Sequence, residues 1–507
     1  MSVTSLLFWL FLIICVSIYY FIPKKGQWGA LLIASLLFFV AASGVKLALY
    51  LIVISLDTYL GAKYIWKCTN AKSKKMVLLF SILIPLAILI VLKYCGFVLG
   101  LIGLVLKPIG VGINTEFGFL APLGLSYFTL SAIGYIVDVY WEIIEPQTNY
   151  FKYLLFVSYF PSLTSGPLMR YSKMRDQLFE ERTFDHIRVL YGFERILWGL
   201  FKKLVIADRT AIVVNTIYNN YENYDGWYIV VAVIMFALQL YTDFSGCMDI
   251  VYGASECFGI YLPENFNTPF FSQTVSEFWK RWHITMGEWF QDYILYPILN
   301  SRLFLNLRTI IKKQFGKKAS KTVPTYLGLF ITWICIGIWH GGQYKYIVAS
   351  GLLPGFYLIM GQVCTPLFNK MIKILRINTE TFSWKVFRMI RTFFCLCTSW
   401  IFVRATSLSE GIQIIRRIPH NNIWILTDDS LLELGLTWKD YNVLLGGVLI
   451  ILFFEILKYK GVKIREKLVK QNLFFQWGVL LIALFTIIIL GVYGPGYDAS
   501  EFIYKNF

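Results

Sequence analysis

Residues 323–342 read VPTYLGLFITWICIGIWHGG. No carboxylate, lysine or arginine interrupts the run, and two glycines follow His340 at once. His340 stands 19 positions beyond Lys321, the last residue of a strongly basic segment. In an ideal helix that is about 28 Å, close to the thickness of a bilayer's hydrocarbon core. The run therefore reads as a membrane span with an imidazole at the end away from the basic segment.

Comparable runs recur along the chain. Hydrophobic residues make up 57% of it and charged residues 15%, with a mean hydropathy of +0.61. Those proportions exclude a soluble domain of this size. Unbroken apolar stretches near 20 residues, without strict alternation, favour spanning helices over a barrel. The expected spans are 4–22, 28–44, 46–66, 76–106, 118–141, 151–168, 190–207, 226–245, 246–260, 278–298, 323–341, 345–363, 387–404, 441–457 and 474–493. Pro85 and Gly96 predict a kink or break within 76–106. Pro161, Gly166 and Pro167 predict a re-entrant piece within 151–168. The fold class is an all-α polytopic integral membrane protein. With no repeat and no long linker, 1–507 reads as a single membrane domain.

The formal net charge is +17, but the Lys and Arg residues sit in connectors between apolar runs. Lys24–Lys25, Lys67–Lys75, Arg302–Lys321, Lys370–Arg391 and Lys458–Lys470 are the basic ones. This pattern fits the positive-inside bias and contact with anionic lipid headgroups, not nucleic acid. Placing all five in the cytoplasm puts 406–440 and both termini outside; the charges leave 107–280 unassigned. The N-terminal run lacks a basic n-region and a small-residue cleavage site, so it reads as a retained helix. The nine cysteines read as small membrane-buried hydrophobes, with neither a disulfide frame nor a metal site.

Ionisable groups at membrane depth are costly and mark candidate functional positions. Asp138, Asp243, Asp249, Glu277, Lys280, Arg281, His283, Glu288, Asp292 and His340 all fall in such segments. Each has a structural alternative. Asp138 can staple two helices, Asp243 can cap a helix starting near 246, and Lys280 and Arg281 can snorkel from a helix start. Arg404 in WIFVRA can snorkel as well. His186 and His420 lie in polar stretches and read as surface residues. His283 and His340 differ: each follows a tryptophan, in RWH and IWH. Imidazole titrates near neutral pH, so the pair can serve acid–base work, or can bond across helices. No HExxH, CxxC, GxSxG or P-loop motif is present.

The run YTDFSGCMDIVYGASECFGIYLPENFNTPFFSQTVSEFWKRWHITMGEWFQDYILYPI, 241–298, closely resembles the membrane-bound O-acyltransferase (MBOAT) family. So do IWHGGQYKYIVASGLLPGFYL, 338–358, and the upstream APLGLSYFTLSAIGYIVDVYW and SYFPSLTSGPLMRYSKMRDQL. WIFVRATSLSEGI and the terminal FIYKNF resemble its alginate O-acetylase-like subgroup. The signature region runs from about 118 to 405, with C-terminal helices at 441–493. Gln291 stands where that subgroup usually has Arg, and Gly342–Gln343–Tyr344 replace an Ala-Asn-Trp-like run.

The resemblance implies a ring of membrane helices around a thin core pierced by a channel. It implies O-acyl, chiefly O-acetyl, transfer to a hydroxyl, with His340 as the catalytic general base and His283 assisting, either by orienting the donor or by stabilising the oxyanion. Trp282, Trp339, Asp243, Asn265 and Arg281 are the channel candidates. The donor would be an acyl thioester, acetyl-CoA or an acyl carrier protein, with no bound cofactor or metal. The acceptor would be an extracytoplasmic polysaccharide, reached through an esterase-like partner protein at a bacterial cell membrane. D-alanyl transfer to teichoic acid uses the same histidines and is the alternative within the class. A proton-coupled transporter or an export scaffold is the alternative outside it.

Overall fold

The computed structural model describes residues 4–110, 119–163 and 166–493. Among them the regular elements are helical, and the one ladder pairing is an isolated antiparallel bridge between Phe266 and Trp282. Nine of the described helices are long and apolar enough to cross a membrane. The outward faces of Trp438–Tyr459 and Leu473–Leu490 expose Leu449, Phe453, Ile482 and Ile489. Such faces need hydrocarbon around them. The start of the signature region at 118 and the terminal FIYKNF lie outside the described residues.

Several boundaries differ from those the sequence predicts. Residues 226–245 and 246–260 are not two spans: Trp227–Glu256 is one helix, because Ser245 and Gly246 lack the proline that would end it. Asp243 therefore lies inside a helix and does not cap one. The break in 76–106 falls at neither Pro85 nor Gly96 but in a π-helical turn, Ile90–Tyr94, between Ala71–Leu89 and Cys95–Leu106. Within 278–298 no spanning helix forms. It holds the short helices Ile284–Phe290 and Tyr296–Leu299, separated by a π-turn. Lys280 and Arg281 follow the end of the helix Val275–Trp279 and do not begin one. The basic stretch 302–321 is no loop either. It is the first part of Arg302–Gly341, which Gly316 interrupts at φ 83°, ψ 177°. Lys, Arg and Leu are good helix formers, so this segment needs no core to be helical.

The chain groups into two compact units. The first holds residues up to 200 together with 247–263. Helix Val45–Lys67 approaches its neighbours closely at Gly61, where a β-carbon would collide with the Ser81 hydroxyl. Hydroxyls link the same helix to Tyr150–Ser158: Thr58 and Tyr153 lie 2.8 Å apart, Ser55 and Tyr150 3.0 Å apart. Arg195 bridges Asp249 at 3.0 Å and Glu256 at 3.4 Å, which occupies both carboxylates. Asp138 is buried in Leu125–Tyr140.

The second unit holds 201–246 and 264–493. Its centre is the second half of Arg302–Gly341 against the π-turn Ile347–Leu352. Glycine permits the contact. A β-carbon on Gly337 would stand 2.9 Å from the Ile347 Cα, and one on Gly351 would stand 2.8 Å from the Trp333 carbonyl. Small residues that let two backbones meet are how membrane helices pack without a hydrophobic driving force. Both histidines of interest, and every channel candidate, belong to this unit.

Candidate active site

The segment that carries His283 is held by a short backbone clasp. The Asn267 N–H donates to the Arg281 carbonyl at 3.0 Å, and the Ile284 N–H donates to the Asn265 carbonyl at 3.1 Å. Phe266 and Trp282 form the bridge between them. The Asn265 carboxamide oxygen accepts from the Thr285 N–H at 3.0 Å and from the Thr285 hydroxyl at 2.7 Å. Inside the clasp His283 takes φ 48°, ψ 49°. That left-handed conformation costs a residue with a β-carbon about 1 kcal/mol or more. The surrounding bonds over-determine it. The result aims a wholly buried imidazole inward from the N-terminus of Ile284–Phe290. Burial pushes that imidazole down to a pKa of about 3, so it is neutral.

Aromatic rings surround the two imidazoles. His283 meets Phe244 edge-on at 4.9 Å between ring centroids and Trp339 at 5.9 Å. Trp339 meets His340 at 5.0 Å. Both imidazoles therefore lie against one indole. Trp282 packs in an adjoining cluster with Phe266 at 5.0 Å, Phe278 at 5.3 Å and Trp400 at 5.7 Å. These rings exclude water from a site whose polar groups are few, which strengthens each polar interaction made there.

His340 ends the long helix. Gly342 caps it in the left-handed region, φ 60°, ψ 25°, as helix ends commonly use glycine. Gly341 has a different reason. A β-carbon there would stand 2.6 Å from the Tyr346 ring, so this glycine admits the tyrosine beside the imidazole-bearing turn.

The ionic candidates resolve into partners. Asp243 accepts from the Lys203 ammonium at 2.6 Å, and Asp208 lies on the same ammonium at 2.8 Å. All three side chains are buried. Neighbouring Lys202 reaches the Ser245 hydroxyl at 2.9 Å. Lys203 thus anchors Asp243, the residue before Phe244, which contacts His283. Arg281 is engaged by Glu277 at 2.8 Å, by the Thr268 hydroxyl at 2.9 Å and by the Tyr459 ring at 5.5 Å. The structure brings together His283, His340, Trp339, Trp282 and Asn265, and gives Arg281 and Asp243 structural partners. Sequence reasoning missed Phe244, Trp400 and Lys203. Only the position of Phe244 next to Asp243 carried a signal. Among the described residues no three His, Cys, Asp or Glu side chains converge as a metal site.

Comparison with known proteins bears on this geometry. The chain is 30% identical over 407 residues to a probable alginate O-acetylase, AlgI, of Pseudomonas syringae pv. tomato, covering 80% of this chain and 72% of that one. The chain belongs to the membrane-bound O-acyltransferase family. The family model, MBOAT, membrane-bound O-acyltransferase family, matches residues 143–311, which include His283 and the clasp. A peptidoglycan O-acetyltransferase of Helicobacter pylori is 27% identical over 415 residues, 76% of this chain and 72% of its own length. A teichoic acid D-alanyltransferase of Bacillus subtilis is 27% identical over 282 residues, 54% of this chain and 66% of its own length. This MBOAT protein is a multi-pass membrane O-acyltransferase.

Proposed function

We propose that this MBOAT protein moves an acetyl group from a cytosolic thioester, acetyl-CoA or an acyl carrier protein, across the membrane toward hydroxyls of an extracytoplasmic polysaccharide. The observation that carries the reading is the contact of both imidazoles with the Trp339 indole in a water-excluding cluster. Neutral His340 accepts the proton of the acceptor hydroxyl as that oxygen attacks the thioester carbonyl. The C–S bond breaks, and the imidazolium returns the proton to the departing thiolate. Neutral His283 donates a hydrogen bond to the developing oxyanion.

The acetyl reading draws on the O-acetylating relatives, whose likeness covers more of this chain than that of the D-alanyltransferase. With its basic connectors in the cytoplasm, as the positive-inside bias favours, the chain has both termini outside a bacterial plasma membrane in this reading, and the connectors collect phosphate-bearing donors by charge. An esterase-like partner outside the membrane completes transfer to the polymer. The matched residues 143–311 draw on both compact units, which supports reading 1–507 as one MBOAT domain. The test is labelled acyl transfer by purified protein from acetyl-CoA, from an acetylated carrier and from a D-alanyl carrier, with and without His340→Ala. Faster transfer from the D-alanyl carrier favours the teichoic acid reading. Intact substrate crossing vesicles without acyl transfer favours a transporter.

A further inference from the structure

Two cations are linked to the His340 turn through a short chain of contacts. Lys345 follows it by five residues, and its ammonium donates to the Ala405 carbonyl at 2.7 Å while lying 4.7 Å above the Tyr346 ring. That ring is the one admitted by Gly341. The residue before Ala405 is Arg404, the last of helix Phe382–Arg404. One Arg404 amino group donates to the carboxamide oxygens of Asn215 and Asn219, at 2.8 and 3.1 Å. The path runs from His340 through Gly341, Tyr346, Lys345 and Ala405 to Arg404.

Three features set this pair apart from an ordinary snorkelling arginine. First, the pair sits at the wrong end for topology. Helices Arg302–Gly341 and Phe382–Arg404 both begin in Lys- and Arg-rich sequence, and both end here, so the pair opposes the positive-inside bias. Second, neither cation has a carboxylate within salt-bridge distance among the described residues; their hydrogen-bond acceptors are neutral oxygens. The nearby Glu410 carboxylate, which attracts both cations through space without pairing with either, accepts from the Thr406 N–H at 3.1 Å and from the Thr406 hydroxyl. Third, Arg404 lies 5.3 Å from the ring of buried Tyr218, whose hydroxyl has no hydrogen-bond partner among the described residues. The helix C-terminal dipole accounts for one cation at low cost. Lys345, from the helix after His340, brings a second cation to that same helix end.

A guanidinium offers five N–H donors in a planar fork that matches a carboxylate or a phosphate. Asn215 and Asn219 hold one arm of that fork and leave the rest available. We propose that Arg404 and Lys345 form an anion subsite that holds a carboxylate or phosphate of the acceptor, and so delivers an adjacent hydroxyl toward His340. The inference rests on the proposed function and specifies its acceptor as acidic. Donor phosphates gather at the basic end of the helices, so the two anionic substrates are drawn to opposite ends of the same span.

The test measures binding and transfer by the full chain in nanodiscs, of phosphatidylcholine alone or with phosphatidylglycerol. The ligands are a carboxylated oligosaccharide, a phosphorylated one, and the carboxyl-reduced neutral counterpart. Wild type should bind at least one of the acidic ligands about tenfold more tightly than the neutral one. Arg404→Gln and Lys345→Gln should each remove that preference in both lipids, raising the KM for the acidic acceptor while leaving neutral binding unchanged. Lys345→Gln keeps the test open if Arg404→Gln does not fold. Equal binding of acidic and neutral ligands by wild type overturns the subsite. So does an equal loss for both ligands in the variants, or a preference confined to one lipid, which would mark a headgroup site. Binding is read without turnover. A chain that binds the acid through Arg404 yet transfers no acyl group contradicts the proposed function and leaves the subsite standing.

Discussion

Asn265 and Thr285 are joined twice: one carboxamide oxygen accepts from both the Thr285 N–H, at 3.0 Å, and the Thr285 hydroxyl, at 2.7 Å. Both residues are buried, and His283 lies two positions before Thr285. Asn265→Ala leaves an N–H and a hydroxyl unsatisfied in the interior, at about 1–3 kcal/mol each. It should lower the melting temperature and reduce kcat about tenfold to a hundredfold, because the left-handed turn loses its lock. Thr285→Ser, which keeps both donors, should retain most activity. A turnover series comparing Asn265→Ala, Thr285→Val and Thr285→Ser checks this; equal activity in all three contradicts a positioning role for the clasp.

His283 is neutral, with burial holding its pKa near 3. A lowered pKa means protonation begins only as pH falls toward that value. The acid limb of the pH–rate profile above about pH 4 therefore comes from another group. His283→Ala, which removes the donor, should lose about 10²–10³ in kcat, whereas His283→Gln, which keeps one, should retain more activity and leave the position of the acid limb unchanged. A shift of that limb in His283→Gln would assign the titration to His283.

The contact between the His340 helix and the π-turn Ile347–Leu352 depends on Gly337. Its β-carbon position lies 2.9 Å from the Ile347 Cα and 3.0 Å from the Tyr346 carbonyl. Both are backbone atoms and cannot rotate aside. Gly337→Ala should destabilise by about 1–3 kcal/mol and depress activity by moving His340. Gly361→Ala is the control, since nothing lies within 4 Å of its β-carbon position. Thermal denaturation of the two variants should separate them, with Gly361→Ala at or above wild type.

Lys203 compensates two buried carboxylates, Asp208 and Asp243. Lys203→Met leaves both without that cation and should cost about 3–5 kcal/mol, seen as loss of folded protein on size-exclusion chromatography. The double variant Lys203→Met with Asp243→Asn should recover part of it. If Lys203→Met is as stable as wild type, the pair has no part in holding Phe244 against His283.

Much of this was legible in the sequence because hydropathy and a few polar exceptions carry it. The apolar run before His340 announced a span and its termination. The runs 241–298 and 338–358, which hold RWH and IWH, announced the family. What the sequence hid was tertiary. Residues 278–298 look like one apolar helix, yet a single left-handed residue, His283, divides them, and no local propensity marks it. The basic stretch 302–321 read as a connector because charge density resembles a loop, although Lys and Arg favour helix. Asp243 read as a helix cap because its partner, Lys203, lies 40 positions earlier. Arg404 read as a snorkelling residue because Lys345 lies 59 positions earlier in the chain.

The central claim is that His340 takes the acceptor's proton. The most direct measurement is single-turnover transfer of labelled acetyl from the thioester donor to an acceptor hydroxyl, by wild type and by His340→Ala of matched thermal stability. The account predicts normal donor binding by His340→Ala and a transfer rate lowered at least a hundredfold, from loss of a positioned base worth about 10²–10⁴. Transfer by His340→Ala at the wild-type rate would contradict it.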